Sequence, residues 1–102
     1  MIDYENFKED NKILDLDTLL IRAKSAEDNQ KYTIAANHYF TILTRHLNKL
    51  SQQIELLELV SLSFCYLVVL LPVNFQRERM LNFLLKNENL NVFEQKPILD
   101  KL

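Results

Sequence analysis

The chain has 102 residues, 48% of them apolar and 25% charged, with a net charge of −2, one cysteine and no glycine. That length makes one domain or a fragment of one, which buries somewhat under about 70% of its unfolded surface, and the composition is that of a globular protein. The lack of glycine excludes glycine-loop phosphate cradles and argues against tight β-hairpins, and the lack of a basic block removes the electrostatic basis for binding nucleic acid.

Residues 1–15 read as an acidic, partly ordered leader, ahead of a helical domain over 16–102. Over residues 1–17, Asp3, Glu5, Glu9, Asp10, Asp15 and Asp17 stand against only Lys8 and Lys12. Such a stretch is either solvated or a docking tail, with Tyr4 and Phe7 as its candidate anchors. The first apolar run begins only at Ile13 and is broken by Asp15 and Asp17, which is no signal peptide. The first helix is expected from an N-cap at Asp17 to about Asn29, with Leu16 and Ile21 at hydrophobic-staple spacing and Leu19, Ala23 and Ala26 on its inner face.

After a turn at Asp28 to Gln30, a second helix is expected from about Lys31 to Leu47 or Leu50. Its inner face reads Tyr32, Ala35, Ala36, Tyr39, Phe40, Leu43 and Leu47. The short connection makes the two helices antiparallel, and Ala23, Ala26, Ala35 and Tyr39 fit a tetratricopeptide-type hairpin. Asn48 to Gln53 is the next break, with Ser51 as expected cap.

The central helix is expected over Ile54 to Leu71. Glu55, Glu58 and Ser61 form its one polar stripe, and from Leu59 thirteen uncharged residues run to Pro72. A helix that is apolar all round must be wrapped by protein or lipid. Thirteen residues fall short of the roughly 20 that a membrane span needs, so the expectation is a buried helix.

Asn74 is expected to cap a helix over Phe75 to Lys86. Its apolar side would be Met80, Leu81, Leu84 and Leu85, with Gln76, Arg77, Glu78, Arg79 and Asn82 outside and Asn87 as a left-handed cap. A short surface helix within 87–96 follows, then Ile98 to Leu102 after Pro97, with apolar residues unaccounted for.

No catalytic, cofactor or metal site emerges, and the protein is expected not to be an enzyme. His38 and His46 are more than two helical turns apart, too far to share a metal. Glu55 and Glu58 read as solvated carboxylates, and Cys65 lies in the apolar run with no base beside it. A lone buried thiol points to a reducing compartment, cytoplasm or nucleus. Arg77 and Arg79 read either as local pairs with Glu78 and the turn at Asn74 or as a contact surface for another subunit. The expected partner-binding set is Gln76, Arg77, Arg79, Ile98, Leu99 and Leu102.

From Gln30 onward the residues resemble a known family. Lys31-Tyr32, Ala35-Ala36, Tyr39, the helix closing on Pro72, Arg77-Glu78-Arg79-Met80-Leu81 and Lys86-Asn87-Glu88 resemble the helical-repeat half of a PCI domain, as in subunits of the COP9 signalosome. The likeness spans Leu16 to Leu102, and PCI subunits of the proteasome lid are resembled nearly as well up to Pro72.

The resemblance implies an all-α fold of about five helices, antiparallel hairpins stacked as a repeat-arm fragment. It implies a non-catalytic scaffold whose partners are other subunits of a multiprotein complex, in cytoplasm and nucleus, with no nucleic acid, membrane or small-molecule substrate. The signalosome removes a ubiquitin-like modifier from cullins through a zinc site on a different subunit, so no catalytic residue carries over. The winged helix that follows the repeats in that family is absent, and the unburied Ile98, Leu99 and Leu102 suit a piece of a longer protein. The alternative is a small bundle carrying an apolar ligand beside Phe64, Cys65 and Tyr66. An enclosed cavity there would favour the carrier, and exposed apolar surface over Tyr66 to Leu71 and at Ile98 to Leu102 the scaffold.

Overall fold

Five helices account for the described part of the chain, residues 14–87 and Leu90, in a computed structural model. They are α1 (Leu16–Asp28), α2 (Tyr32–Arg45), α3 (Leu47–Ser51), α4 (Ile54–Leu70) and α5 (Phe75–Lys86). No strand occurs among the described residues, so the all-α class holds. The expectations for residues 1–13, and for Val92 to Leu102 with Ile98, Leu99 and Leu102, lie outside them.

Helix α1 begins two residues earlier than its sequence suggests. Asp15, not Asp17, is extended at φ −81°, ψ 172°, and its Oδ1 accepts from the Thr18 amide at 2.8 Å. That bond holds the Asp15 carboxyl below the ordinary carboxylate range. Asp17 falls in the first turn, where a negative charge suits the helix dipole. The buried residues are Leu16, Leu19, Ala23 and Ala26, and their spacing of three, four and three leaves Ile21 pointing to solvent instead of stapling onto Leu16.

The turn into α2 works without glycine because Gln30 takes φ +60°. The Lys31 amide reaches the Ala26 carbonyl at 2.8 Å and the Asn29 side chain donates to the Ser25 carbonyl at 2.8 Å, closing the end of α1. Farther along, the Leu14 carbonyl meets His46 Nε2 at 3.2 Å. The start of α1 therefore lies beside the end of α2, and the pair is antiparallel. Ala23, Ala35 and Ala36 are fully buried between them, their small side chains allowing close approach.

Tyr39 sits at the same seam and donates its hydroxyl to Glu27 Oε1 at 2.9 Å. Burial, together with the Glu27 carboxylate, pushes the Tyr39 phenol far above the usual value of about 10. Because the folded value is raised, the stabilisation is full below about pH 10 and is lost as pH rises toward the folded value. Thermal melts of the protein and of Tyr39→Phe should therefore converge above about pH 10, with the native chain losing more stability on the alkaline side. Parallel pH profiles would exclude this role for Tyr39.

Helix α2 does not run on to Leu50. It breaks at His46, φ −120° and ψ 21°, and α3 restarts as a single turn whose Leu50 is fully buried. The Thr41 and Thr44 hydroxyls donate back to the carbonyls of Asn37 and Phe40, a bonding pattern that bends helices, and the His46 ring is engaged at Leu14. Ser51 is not the cap of α4: its hydroxyl donates to the Leu47 carbonyl and completes α3, leaving Gln53 at the cap position without a side-chain bond.

Helix α4 ends at Leu70, where Leu71 turns extended (φ −77°, ψ 152°) ahead of Pro72. Asn74 caps α5, its Oδ1 accepting from the Arg77 amide at 3.0 Å. Asn87 is not left-handed: its φ is −124° and its side chain donates to the Phe83 carbonyl instead. On α5, Met80 and Leu84 are buried and Phe83 packs against the core, whereas Leu85 faces solvent. The core centres on Phe64, stacked on Phe40 at 5.8 Å and edge-on to Phe83 at 6.4 Å, with Phe40 and Phe83 themselves edge-on at 5.2 Å.

Candidate interaction surface

Helix α4 buries one face, and the opposite face is apolar as well. Val60, Ser61, Phe64, Cys65, Leu67 and Val68 turn inward. At 100° per residue the reverse side carries Glu55, Glu58, Leu59, Leu62, Tyr66, Val69 and Leu70, a stripe about 120° wide in which Leu62 is half-buried and packs against the core. From Leu59 on it holds no charge, yet Leu59 is 59% exposed, Tyr66 55%, Val69 47% and Leu70 45%. Val73 and Phe75, the latter 84% exposed, extend the apolar surface past the end of the helix. A single exposed leucine means little, but a continuous apolar row two to three turns long is the form of a helix-docking surface.

The expectation of a fully wrapped central helix is thus half met, because described residues cover only its inner face. The polar stripe of Glu55, Glu58 and Ser61 is also divided. The two glutamates are exposed, whereas Ser61 is buried and its hydroxyl has no hydrogen-bond partner. Position 61 lies on the core side of the wheel, and only the two acids share the outer stripe.

The arginines are tied into the fold. Arg77 Nε donates to the Val68 carbonyl at 3.1 Å, from the first turn of α5, beside the Leu71 amide that the same carbonyl accepts at 3.3 Å. The Arg79 guanidinium lies 5.6 Å from the centre of the Phe40 ring. Gln76 donates its side-chain amide to Asn37 Oδ1, pinning the start of α5 to α2. These contacts replace the expected local pairs with Glu78. Beside them an open groove of about 380 Å³ is floored by Phe40 and Phe83 and rimmed by Phe75, Glu78, Arg79 and Lys86.

Around Phe64 and Cys65 the space that an apolar ligand would need is occupied. Phe40 and Phe83 pack on Phe64, and Cys65 Sγ points at the Leu90 carbonyl, 3.5 Å away. Helical spacing puts Leu59 in one row with Leu62, Tyr66 and Val69, and the burial of the opposite residues makes that row the outer one; Val73 lies beyond the helix end and is exposed.

His38 lies at the α1 side of α2, where burial and then the Arg22 charge hold it below the ordinary imidazole value. Among the described residues no three His, Cys, Asp or Glu side chains gather to hold a metal, and no helix is long and apolar enough to cross a membrane. Comparison of the chain with family models, with curated proteins and with solved structures finds no match.

Proposed function

We propose that the protein is a non-catalytic helical scaffold segment that joins a multiprotein complex by packing the outer face of α4 against a helix of another subunit. The observation that carries this is the continuous apolar stripe from Leu59 to Leu70, opposite a face that is already buried. A repeat arm has this property: each helical hairpin presents one apolar face to the preceding layer and one to the next, and a hairpin taken alone leaves the second face bare. The antiparallel pair α1 and α2, with alanines at the crossing, and the antiparallel return of α4 suit such an arm.

The complex proposed is of PCI type, on the residues that resemble that family: the COP9 signalosome first, the proteasome lid second. In the first, the chain would serve a machine that removes a ubiquitin-like modifier from cullins, in cytoplasm and nucleus, without contributing to the chemistry. The filled space beside Phe64 and Cys65 supports the scaffold over the carrier of an apolar ligand.

The test is affinity purification of the tagged protein from its own cells, beside Tyr66→Asp with Leu70→Asp. Both residues are about half exposed, so the double variant should melt within about 1 kcal/mol of the native chain. It should recover signalosome subunits at least about tenfold less, as expected when a buried anchor of an interface is lost. Lid subunits in place of signalosome subunits would select the second complex. Equal recovery by both chains, or no PCI-type subunits with either, would refute the proposal.

A further inference from the structure

We propose that the groove between α1 and α2 binds an acidic helix of another protein, with Arg22, Lys31 and His38 receiving its carboxylates. The groove has a volume of about 370 Å³ and opens to solvent. Its walls follow from the helical period. Arg22 and Asn29 lie on one stripe of α1, and Lys31, Ile34 and His38 lie on one stripe of α2. Because the two helices run antiparallel, His38 comes beside Arg22, whose charge acts on it, and Lys31 closes the other end at the turn. Seven residues of helix put these two basic ends about 10 Å apart.

Charge singles the groove out. The chain carries a net charge of −2, yet among the described residues no carboxylate lines this groove. The two acids at the end of α1 are engaged elsewhere: Glu27 accepts from the Tyr39 hydroxyl, and Asp28 pairs with Lys24 at 3.8 Å. Arg22 and Lys31 are exposed and make no ion pair among the described residues. Basic groups gathered without a counter-charge repel one another, and an incoming carboxylate relieves that repulsion.

Apolar surface decides which anion fits. Ile34, 49% exposed, lies between the two basic ends, and Ile21, 70% exposed, lies on the rim. A phosphate chain offers nothing to cover them. An acidic helix does: carboxylates at i and i+7 span the same distance of about 10 Å, and an apolar side chain at i+3 or i+4 falls between them, onto Ile34. The groove shares no residue with the outer face of α4, so this site goes beyond the scaffold reading and stands or falls apart from it.

The experiment titrates the isotope-labelled full chain with an alanine-based helical peptide carrying Glu at i and i+7 and Leu at i+3 and i+4. Amide signals of Arg22, Asn29, Lys31, Ile34 and His38 should shift together, and those of Leu59, Tyr66 and Val69 should stay in place. Arg22 faces His38 from α1, Lys31 and Arg45 lie two turns to either side of it on α2, and among the described residues no carboxylate acts on it. A bound carboxylate favours the protonated ring, so the peptide should bind severalfold more tightly at about pH 6 than at about pH 8, and the His38 ring should titrate at higher pH in the complex. Arg22→Gln with Lys31→Gln should weaken binding at least about tenfold with an unchanged melting midpoint, because neither side chain is paired in the fold.

Unmoved groove signals in a millimolar excess of peptide would overturn the proposal, as would equal binding of the same peptide with both Glu replaced by Gln. Affinity that stays constant across this pH range would remove His38 from the site. Inorganic phosphate that shifts the same signals as tightly as the peptide would make the groove a simple anion site, and groove signals that move when the chain alone is concentrated would make a second copy the occupant. Either would overturn the acidic helix, and none of these outcomes touches the capture of signalosome subunits through α4.

Discussion

Phe64→Ala is expected to cost about 3–5 kcal/mol, the range for emptying a fully buried aromatic site, and to leave the domain close to unfolding at physiological temperature. Phe64 has no exposed surface, and its ring is the meeting point of three helices: Phe40 stacks on it from α2 and Phe83 meets it edge-on from α5. Its removal takes away one member of each contact and opens a hole between helices that have little else to close it. A domain of this size has about 5–15 kcal/mol of stability in all, so the loss is a large fraction of the whole. The midpoint of a thermal melt should fall by roughly 12–40 °C, at about 4–8 °C per kcal/mol. Phe64→Leu, which keeps most of the apolar volume, should cost about 1–1.5 kcal/mol. If Phe64→Ala melted within a few degrees of the native chain, the aromatic cluster would not be the keystone of the core.

The sequence made this core legible wherever helical period and burial coincide. Ala23, Ala26, Ala35, Ala36, Tyr39 and Leu43 follow that period and are buried, and the stop at Pro72 and the cap at Asn74 follow from the stereochemistry of proline and asparagine. What could not be read was the choice between neighbours of equal local merit. Asp15 and Asp17 are both good caps, and burial of Leu16 and Leu19 decides for Asp15 by setting the rotation of α1. Ser51 is a good cap by type, yet its hydroxyl is claimed by Leu47 because α3 exists, and α3 exists because α2 breaks at His46 against Leu14, a residue far back in the chain. Phe83 packs inward in preference to Leu85 because Phe40 and Phe64 await it.

The candidate surface divides in the same way. Sequence spacing alone places Leu59, Leu62, Tyr66 and Val69 on one side of α4. That this side is the uncovered one depends on where α2 and α5 pack, which periodicity cannot say when a helix is apolar on both sides. Arg77 and Arg79 were conspicuous because charged residues crowd the start of α5. Their partners, a carbonyl nine residues earlier and a ring on another helix, are tertiary contacts without a local signature.

Those contacts set the second large expected effect. Arg77→Ala with Arg79→Ala should destabilise the fold by about 2–3 kcal/mol, the larger share from Arg77. Its guanidinium bond to the Val68 carbonyl is charge-assisted, lies at the negative end of the α4 dipole and ties α5 to α4 across the turn at Pro72. Arg79 contributes less, about 0.5–1 kcal/mol, because its stack on Phe40 is open to solvent. The two touch different groups, so their effects should add. Urea titrations of the single and double variants measure each share. Partner capture should then fall only in proportion to the unfolded fraction and recover when the temperature is lowered, since the role assigned to both arginines is to seat α5. Unchanged urea midpoints together with a loss of capture at every temperature would reverse that assignment and make Arg77 and Arg79 part of the interface itself, continuous with Val73 and Phe75 at the end of the apolar stripe.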